Sequence, residues 1–131
     1  MISLKKTFFT FLLLTFVVSH SWAMNLGTYI KFEERIASEP KEKAIITAAV
    51  FSHYLQGIAD GSLAGYSLAR IQNKDNKSFT DYCPPKNLRF NGDLVKDIVD
   101  SYIIFRDSPP DESVNVGIVF ATEMAKTYPC K

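Results

Sequence analysis

Few side chains in this chain have the type and spacing for chemistry. Cys83 and Cys130 are its only thiols, and His20 and His53 its only imidazoles. An imidazole inside a helical stretch, as at His53, could serve as a general base or a pH sensor. Glu33 and Glu34, with the aspartates of later helices, could supply paired carboxylates. None of these groups sits in a motif. There is no nucleophile elbow, no phosphate-binding glycine loop and no histidine pair at metal-ligand spacing. The expected reading is therefore structural. His53 lies on a helix face, and the carboxylates fall on the wet sides of amphipathic helices. Neither an enzyme, a cofactor nor a metal site is expected.

The amino-terminal residues have a different purpose. Lys5 and Lys6 precede an apolar run at residues 8–18, FFTFLLLTFVV, and Ser21-Trp22-Ala23 follows. A positive start, a short apolar core and small residues at the cut are the marks of a secretory signal peptide. A spanning helix needs ~20 apolar residues, so the run is too short for one. Cleavage is expected after Ala23, leaving residues 24–131 as one domain. His20 leaves with the leader. So do two of the 15 Lys and Arg and none of the 14 Asp and Glu, which leaves 13 basic against 14 acidic side chains. That balance offers no basic face for nucleic acid. No second long apolar run points to a membrane after cleavage.

Export gives the cysteines their meaning, because disulfides persist in an oxidising compartment such as the periplasm. Two cysteines allow one intramolecular pairing. An intramolecular Cys83–Cys130 bridge is the expected state. A free thiol pair, a metal site and an intermolecular bond are the alternatives. Closing so long a segment is worth roughly 4 kcal/mol in the chain-entropy picture.

The elements that must position these groups read as helices. Tyr29, Phe32 and Ile36 step along one face of residues 26–37. Ser38-Glu39-Pro40 interrupts, and proline suits the first turn of a second helix from about Lys41 to at least Asp60. There Ile45, Ala48, Ala49, Ser52, Leu55, Ile58 and Ala59 form a broad stripe. Gly57, Gly61 and Gly65 follow at four-residue spacing, where each glycine costs roughly 1 kcal/mol of helix propensity. They suit close helix packing or a fraying end. The sharper alternative is a surface for a partner or a second subunit, including a homodimer. Helix resumes over residues 63–71. Residues 72–81, QNKDNKSFTD, form the most polar stretch and read as an exposed loop.

Tyr82-Cys83-Pro84-Pro85 opens the second half. Asn91 suits an N-cap, and Leu94, Val95, Ile98, Val99, Tyr102 and Ile103 recur as a strong amphipathic face. Ser108-Pro109-Pro110-Asp111 breaks that helix. A last helix is expected over residues 112–128, presenting Gly117, Phe120, Ala121, Met124, Ala125 and Tyr128 to the core, before Pro129 and Cys130. The tyrosines are expected at the edge of the core, hydroxyl outward. The class is all-α: a small four- to five-helix bundle with a disulfide-stapled C-terminal helical hairpin.

Tyr54-Leu55-Gln56-Gly57-Ile58-Ala59-Asp60-Gly61, then Tyr82-Cys83-Pro84-Pro85, then residues 95–103, then Tyr128-Pro129-Cys130 closely resemble the Rap/Tai family. The resemblance spans residues 45–130. Its members are small exported helical proteins of Gram-negative bacteria. Several protect the cell against toxins delivered by type VI secretion, including amidases that cut peptidoglycan. The resemblance implies a periplasmic immunity protein that binds and inhibits a cognate toxin. An exported stress chaperone, or another exported binding protein without a toxin partner, is the alternative. Many relatives carry a second cysteine pair between the first two helices, and residues 33–36 and 50–51 have none. The shared motif is structural: Tyr54, Gly57, Asp60, Gly61, Pro84, Pro85, Tyr128 and Pro129. The expected contact with the toxin is the polar loop. There Lys74, Asp75, Lys77 and Asp81 can steer by charge and Phe79 can anchor. A solvated connector is the plain alternative for that loop.

Overall fold

A computed structural model describes residues 23–72 and 82–130. Four α-helices follow in order: α1 Leu26–Ser38, α2 Lys41–Gln72, α3 Gly92–Ile104 and α4 Val116–Thr127. The protein is all-α, and its one β element among the described residues is a single antiparallel bridge between Asn25 and Asn115. The expected leader at residues 1–22 and the polar loop at 73–81 lie outside the described residues, and Lys74, Asp75, Lys77, Phe79 and Asp81 with them.

Helix α2 is the long element, with 32 residues against 13, 13 and 12 for the others. At ~1.5 Å per residue it runs about 48 Å, more than twice the length of any neighbour. It runs unbroken through Gly57, Gly61 and Gly65, where a pause was expected. Its inner face carries Thr47, Phe51, Leu55 and Ala59, all buried, with Tyr66 packed against the same core. Burial of that face outweighs the propensity lost at three glycines. The inner face differs from the expected stripe, because Ile45 is exposed, as are Ala49 and Ser52.

Helices α1, α3 and α4 close over the inner face of α2. Their buried side chains are Leu26 and Tyr29, Val95 and Val99, and Val116, Val119, Phe120 and Met124. No cysteine joins α1 to α2. Aromatic rings do so: Phe51 meets the Tyr29 edge at 5.0 Å and stacks on Phe32 at 5.3 Å. At the corner between the two helices, Glu39 accepts from Thr47 Oγ1 at 2.7 Å and from Arg35 Nε at 2.9 Å. The Thr47 hydroxyl first, then Arg35, holds the Glu39 carboxyl below the usual carboxylate range. The corner therefore contributes stability above that range and loses it as pH falls through the lowered value.

The last helix begins later than its composition suggests. Residues 112–114 form a turn and Asn115 is extended, and the start of α1 uses their backbone. Leu26 N–H donates to Val114 O at 2.9 Å and Gly27 N–H to Glu112 O at 3.0 Å, while Val116 N–H donates to Met24 O at 2.9 Å. First-turn amides have no partner inside their own helix. Here the turn that precedes α4, about 40 residues after the end of α2, supplies the acceptors. Asn25, Asn91 and Asn115 cap α1, α3 and α4 with their side-chain oxygens.

Gly92 marks a close approach of α3 to the backbone of α2. A Cβ there would lie 3.2 Å from Gln56 N, 3.3 Å from Leu55 Cβ and 3.3 Å from Ser52 O. Two of these atoms are backbone of α2 and cannot swing aside. We expect Gly92→Ala to destabilise by about 1–3 kcal/mol, as an overpacked contact does. Gly57→Ala meets nothing within 4 Å and should stabilise by about 0.5–1 kcal/mol through helix propensity. Urea midpoints of the two variants should move in opposite directions. Equal stability of Gly92→Ala and the parent would refute the close contact.

Candidate binding surfaces

The segment 54–61 holds the bundle together on one side and is bare on the other. Leu55 and Ala59 are buried. Gln56 uses both ends of its amide. Its Oε1 accepts from Gly92 N–H at 3.0 Å, and its Nε2 donates to Asp60 Oδ1 at 2.8 Å. Asp60 thus orients a side chain that caps α3. Gln56 is a positioning residue that no motif flagged, because its two partners come from different elements. Gly57, Gly61 and Gly65 face outward, and no described helix packs on them. The close-packing explanation of these glycines does not hold within the described chain.

His53 is exposed on the outer side of α2. It borders a shallow groove of about 270 Å³ with Met24, Tyr54, Gly57, Ile58 and Asn115. The lining is mostly apolar. The carboxylates are placed elsewhere. Glu33 and Asp100 share Lys96, at 3.2 and 2.6 Å, in a cluster between α1 and α3. Partial burial alone would lower the Lys96 ammonium. Hydrogen bonds to Asp100 and Glu33 outweigh it and raise it above its ordinary value. Asp100 also accepts from Tyr29 Oη at 2.6 Å. Tyr29 is fully buried and its hydroxyl is held by Asp100 of α3, where an outward, solvated hydroxyl was expected. The cluster joins two helices and has the geometry of a structural network. Among the described residues, no group of three or more His, Cys, Asp and Glu could hold a metal ion. No described helix is long and apolar enough to cross a membrane.

Cys83 and Cys130 are bonded, with their Cα atoms 4.9 Å apart. The Cys83 amide donates to Tyr128 O at 2.7 Å, so the two ends of the hairpin are joined by a covalent bond and a backbone bond. Tyr82, beside the bridge, is buried. Its ring lies between Tyr66 of α2 at 5.3 Å and Phe90 at 6.4 Å. Pro85 O accepts from Leu88 N–H at 3.0 Å and turns the chain toward α3. Pro84 is half-buried and Pro129 exposed. The hairpin therefore fixes the end of the polar loop at Tyr82, on the far half of α2.

A second exposed feature closes α3. Phe105 is 83% exposed and follows Ile104, also exposed. Phe105 and Arg106 border a hollow of about 300 Å³ with Ser101, Tyr102, Glu123 and Lys126. The Arg106 guanidinium lies 4.7 Å over the Tyr102 ring, and Lys126 pairs with Glu123 at 2.6 Å. Comparison with known protein families, curated proteins and solved structures finds no match for this chain.

Proposed function

We propose that this protein is an exported immunity protein that binds a toxin delivered into the cell envelope by type VI secretion and blocks its active site. A peptidoglycan amidase is the toxin class the resemblance implies. The observation that carries the reading is the stapled hairpin. Cys83–Cys130 ties the end of the polar loop to the end of α4, and the buried Tyr82 ring wedges that junction against α2. A loop held by a fixed neighbour loses less freedom on binding than a free tail. The periplasm supplies the oxidising conditions that the bridge needs. Lys74, Asp75, Lys77, Phe79 and Asp81 are the proposed contacts.

The test is a loop exchange. Lys74 to Phe79 is replaced by a Gly/Ser linker of equal length, and the protein is co-expressed with the product of the adjacent gene. Melting temperature should change little, because the described core residues lie outside the exchanged segment. Capture of the toxin and protection of the cell should fall by at least ~10-fold, the scale of losing one anchoring side chain. Normal capture and protection by the exchanged protein would place the contact on another surface. An exported chaperone is the second reading, favoured by the apolar outer side of α2. Suppression of aggregation of an unrelated unfolded protein would support that reading over immunity.

A further inference from the structure

Residues 105–115 connect α3 to α4 at the end of the hairpin opposite Cys83–Cys130. Phe105 opens this connector. It is more exposed than any other large apolar side chain among the described residues, and Ile104 before it is 69% exposed. Asp107, Asp111 and Glu112 set three carboxylates against the one guanidinium of Arg106, and all four side chains are exposed. Elsewhere Glu33, Glu39, Asp100 and Glu123 each lie within 3.2 Å of a Lys or Arg nitrogen. Among the described residues, the three connector carboxylates have no such ion pair. Arg106 is committed to Tyr102, with its guanidinium over the ring and donating to the hydroxyl. Lys126, across the adjoining hollow, is committed to Glu123.

The connector is exposed but held in place. Phe105 N–H donates to Ser101 O at 3.0 Å and closes the last turn of α3. Pro109 and Pro110 fix φ at two successive positions. Ser113 donates to Asp111 Oδ1 from its hydroxyl at 2.7 Å and from its amide at 2.9 Å. The Ser113 hydroxyl, ahead of the other contacts, holds the Asp111 carboxyl below its ordinary range, so it is ionised at neutral pH. The Glu112 and Val114 carbonyls accept from Gly27 and Leu26 of α1. A segment ordered by its own fold loses little freedom when a partner takes it. An adjacent pair of open apolar side chains, beside unpaired carboxylates on such a segment, has the form of an anchor with steering charges.

We propose that the α3–α4 connector is a second docking site for the toxin, with Phe105 filling an apolar pocket in a cleft whose cationic rim meets Asp107, Asp111 and Glu112. The inference rests on the immunity reading and names the chemistry of the partner surface. A cleft that binds the peptide stems of peptidoglycan meets their free carboxylates with cations, and the connector offers carboxylates to the same cations. A buried phenylalanine contributes ~150–250 Å² of apolar contact, and the opposite charges around it speed the encounter. The site lies about one helix length, ~20 Å, from the Cys83 end of the hairpin, so it is altered independently of the polar loop.

The experiment measures association of the chain beginning at Met24 with the purified product of the adjacent gene. Phe105→Ala should weaken binding at least ~10-fold, the scale of losing an anchor. Its melting temperature should match the parent, because the Phe105 side chain is 83% exposed. Asp107→Lys should slow association several-fold, and added salt should slow the parent in the same way. Glu34→Lys, an exposed carboxylate of α1, makes the same charge change elsewhere and should leave the rate near that of the parent. Phe105→Trp supplies a second measurement. Trp22 is the chain's one tryptophan, so 5-fluorotryptophan labels position 105 alone in a chain beginning at Met24. Its fluorine resonance should shift when the toxin is added. A parent that binds, with Phe105→Ala and Asp107→Lys binding equally well, overturns the proposal and leaves the immunity reading standing. An unchanged fluorine resonance at saturating toxin overturns it in the same way, as does a Glu34→Lys chain slowed as much as Asp107→Lys. A parent that binds no toxin overturns the immunity reading, and the docking site falls with it.

Discussion

Replacing both Cys83 and Cys130 with serine should lower stability by about 2–5 kcal/mol, the usual cost of losing a structural bridge in a small exported domain. For a chain of about 100 residues this is a fall of roughly 10–25 °C in melting temperature. The mechanism acts on the unfolded chain, which gains the freedom of a long open segment. It also acts on the fold. The Cys83–Tyr128 backbone bond and the Tyr66–Tyr82–Phe90 ring stack depend on the same junction and should loosen first. Helices α3 and α4 should keep most of their helicity, because Val95, Val99, Phe120 and Met124 bury without the bridge. Thermal melts followed in the far and near ultraviolet check both parts. The near-ultraviolet tyrosine signal should collapse at lower temperature than the helical signal. Treatment of the parent with reductant should reproduce the variant. A double-serine protein melting within a degree or two of the parent would refute the structural role.

The parts of the fold that were legible in the sequence are those governed by local patterns. Helix α3 has one apolar face and an asparagine cap, so Asn91, Val95 and Val99 could be placed by periodicity alone. The bridge was legible because the chain offers only two cysteines. Helix α2 was harder, since it is apolar on two sides. Periodicity then cannot tell the face that meets α1 and α3 from the face that meets solvent. Thr47 and Phe51 turn inward, whereas the apolar stripe points to Ile45 and Ala49, which are exposed. Three glycines argued for a pause, and only the packing of Phe51, Leu55, Ala59 and Tyr66 shows why none occurs.

The remaining differences all involve partners distant in the chain. Glu112 and Val114 resemble helix, but their carbonyls accept from Gly27 and Leu26. A local reading cannot see an acceptor committed to residues more than 80 positions away. Gln56 looks like an ordinary helical glutamine until α3 is folded against it. The proposed site suffers from the same limit. The loop residues Lys74, Asp75, Lys77, Phe79 and Asp81 were chosen for composition, and the described structure reaches only their flanks. The outer face of α2 carries the clearest surface signal, because the described helices pack on its other side alone.

Tyr29→Ala should be the most damaging single change, costing about 3–5 kcal/mol, as truncating a fully buried aromatic does. The ring packs edge-on to Phe51 at 5.0 Å, and its hydroxyl holds Asp100 at 2.6 Å across 71 residues of sequence. Tyr29→Phe separates the two contributions. It keeps the ring and removes only a bond to a charged group, worth about 1.5–3 kcal/mol. Asp100 keeps Lys96 as a partner, so the lower end of that range is expected. Alkaline pH then gives a signature that packing alone cannot produce. Burial first, then the Asp100 hydrogen bond, pushes the Tyr29 phenol far above its ordinary value. An unfolded tyrosine ionises near pH ~10. Below that pH both states keep the proton, and the stabilising contribution is complete. Above it the unfolded state releases a proton that the folded state retains, so stability falls by about 1.4 kcal/mol per pH unit. Tyr29→Phe has no proton to lose there. Urea melts of both proteins from neutral to strongly alkaline pH should therefore converge above pH ~10. A constant difference in stability across that range would show that the Tyr29 hydroxyl is not held by Asp100 in the fold.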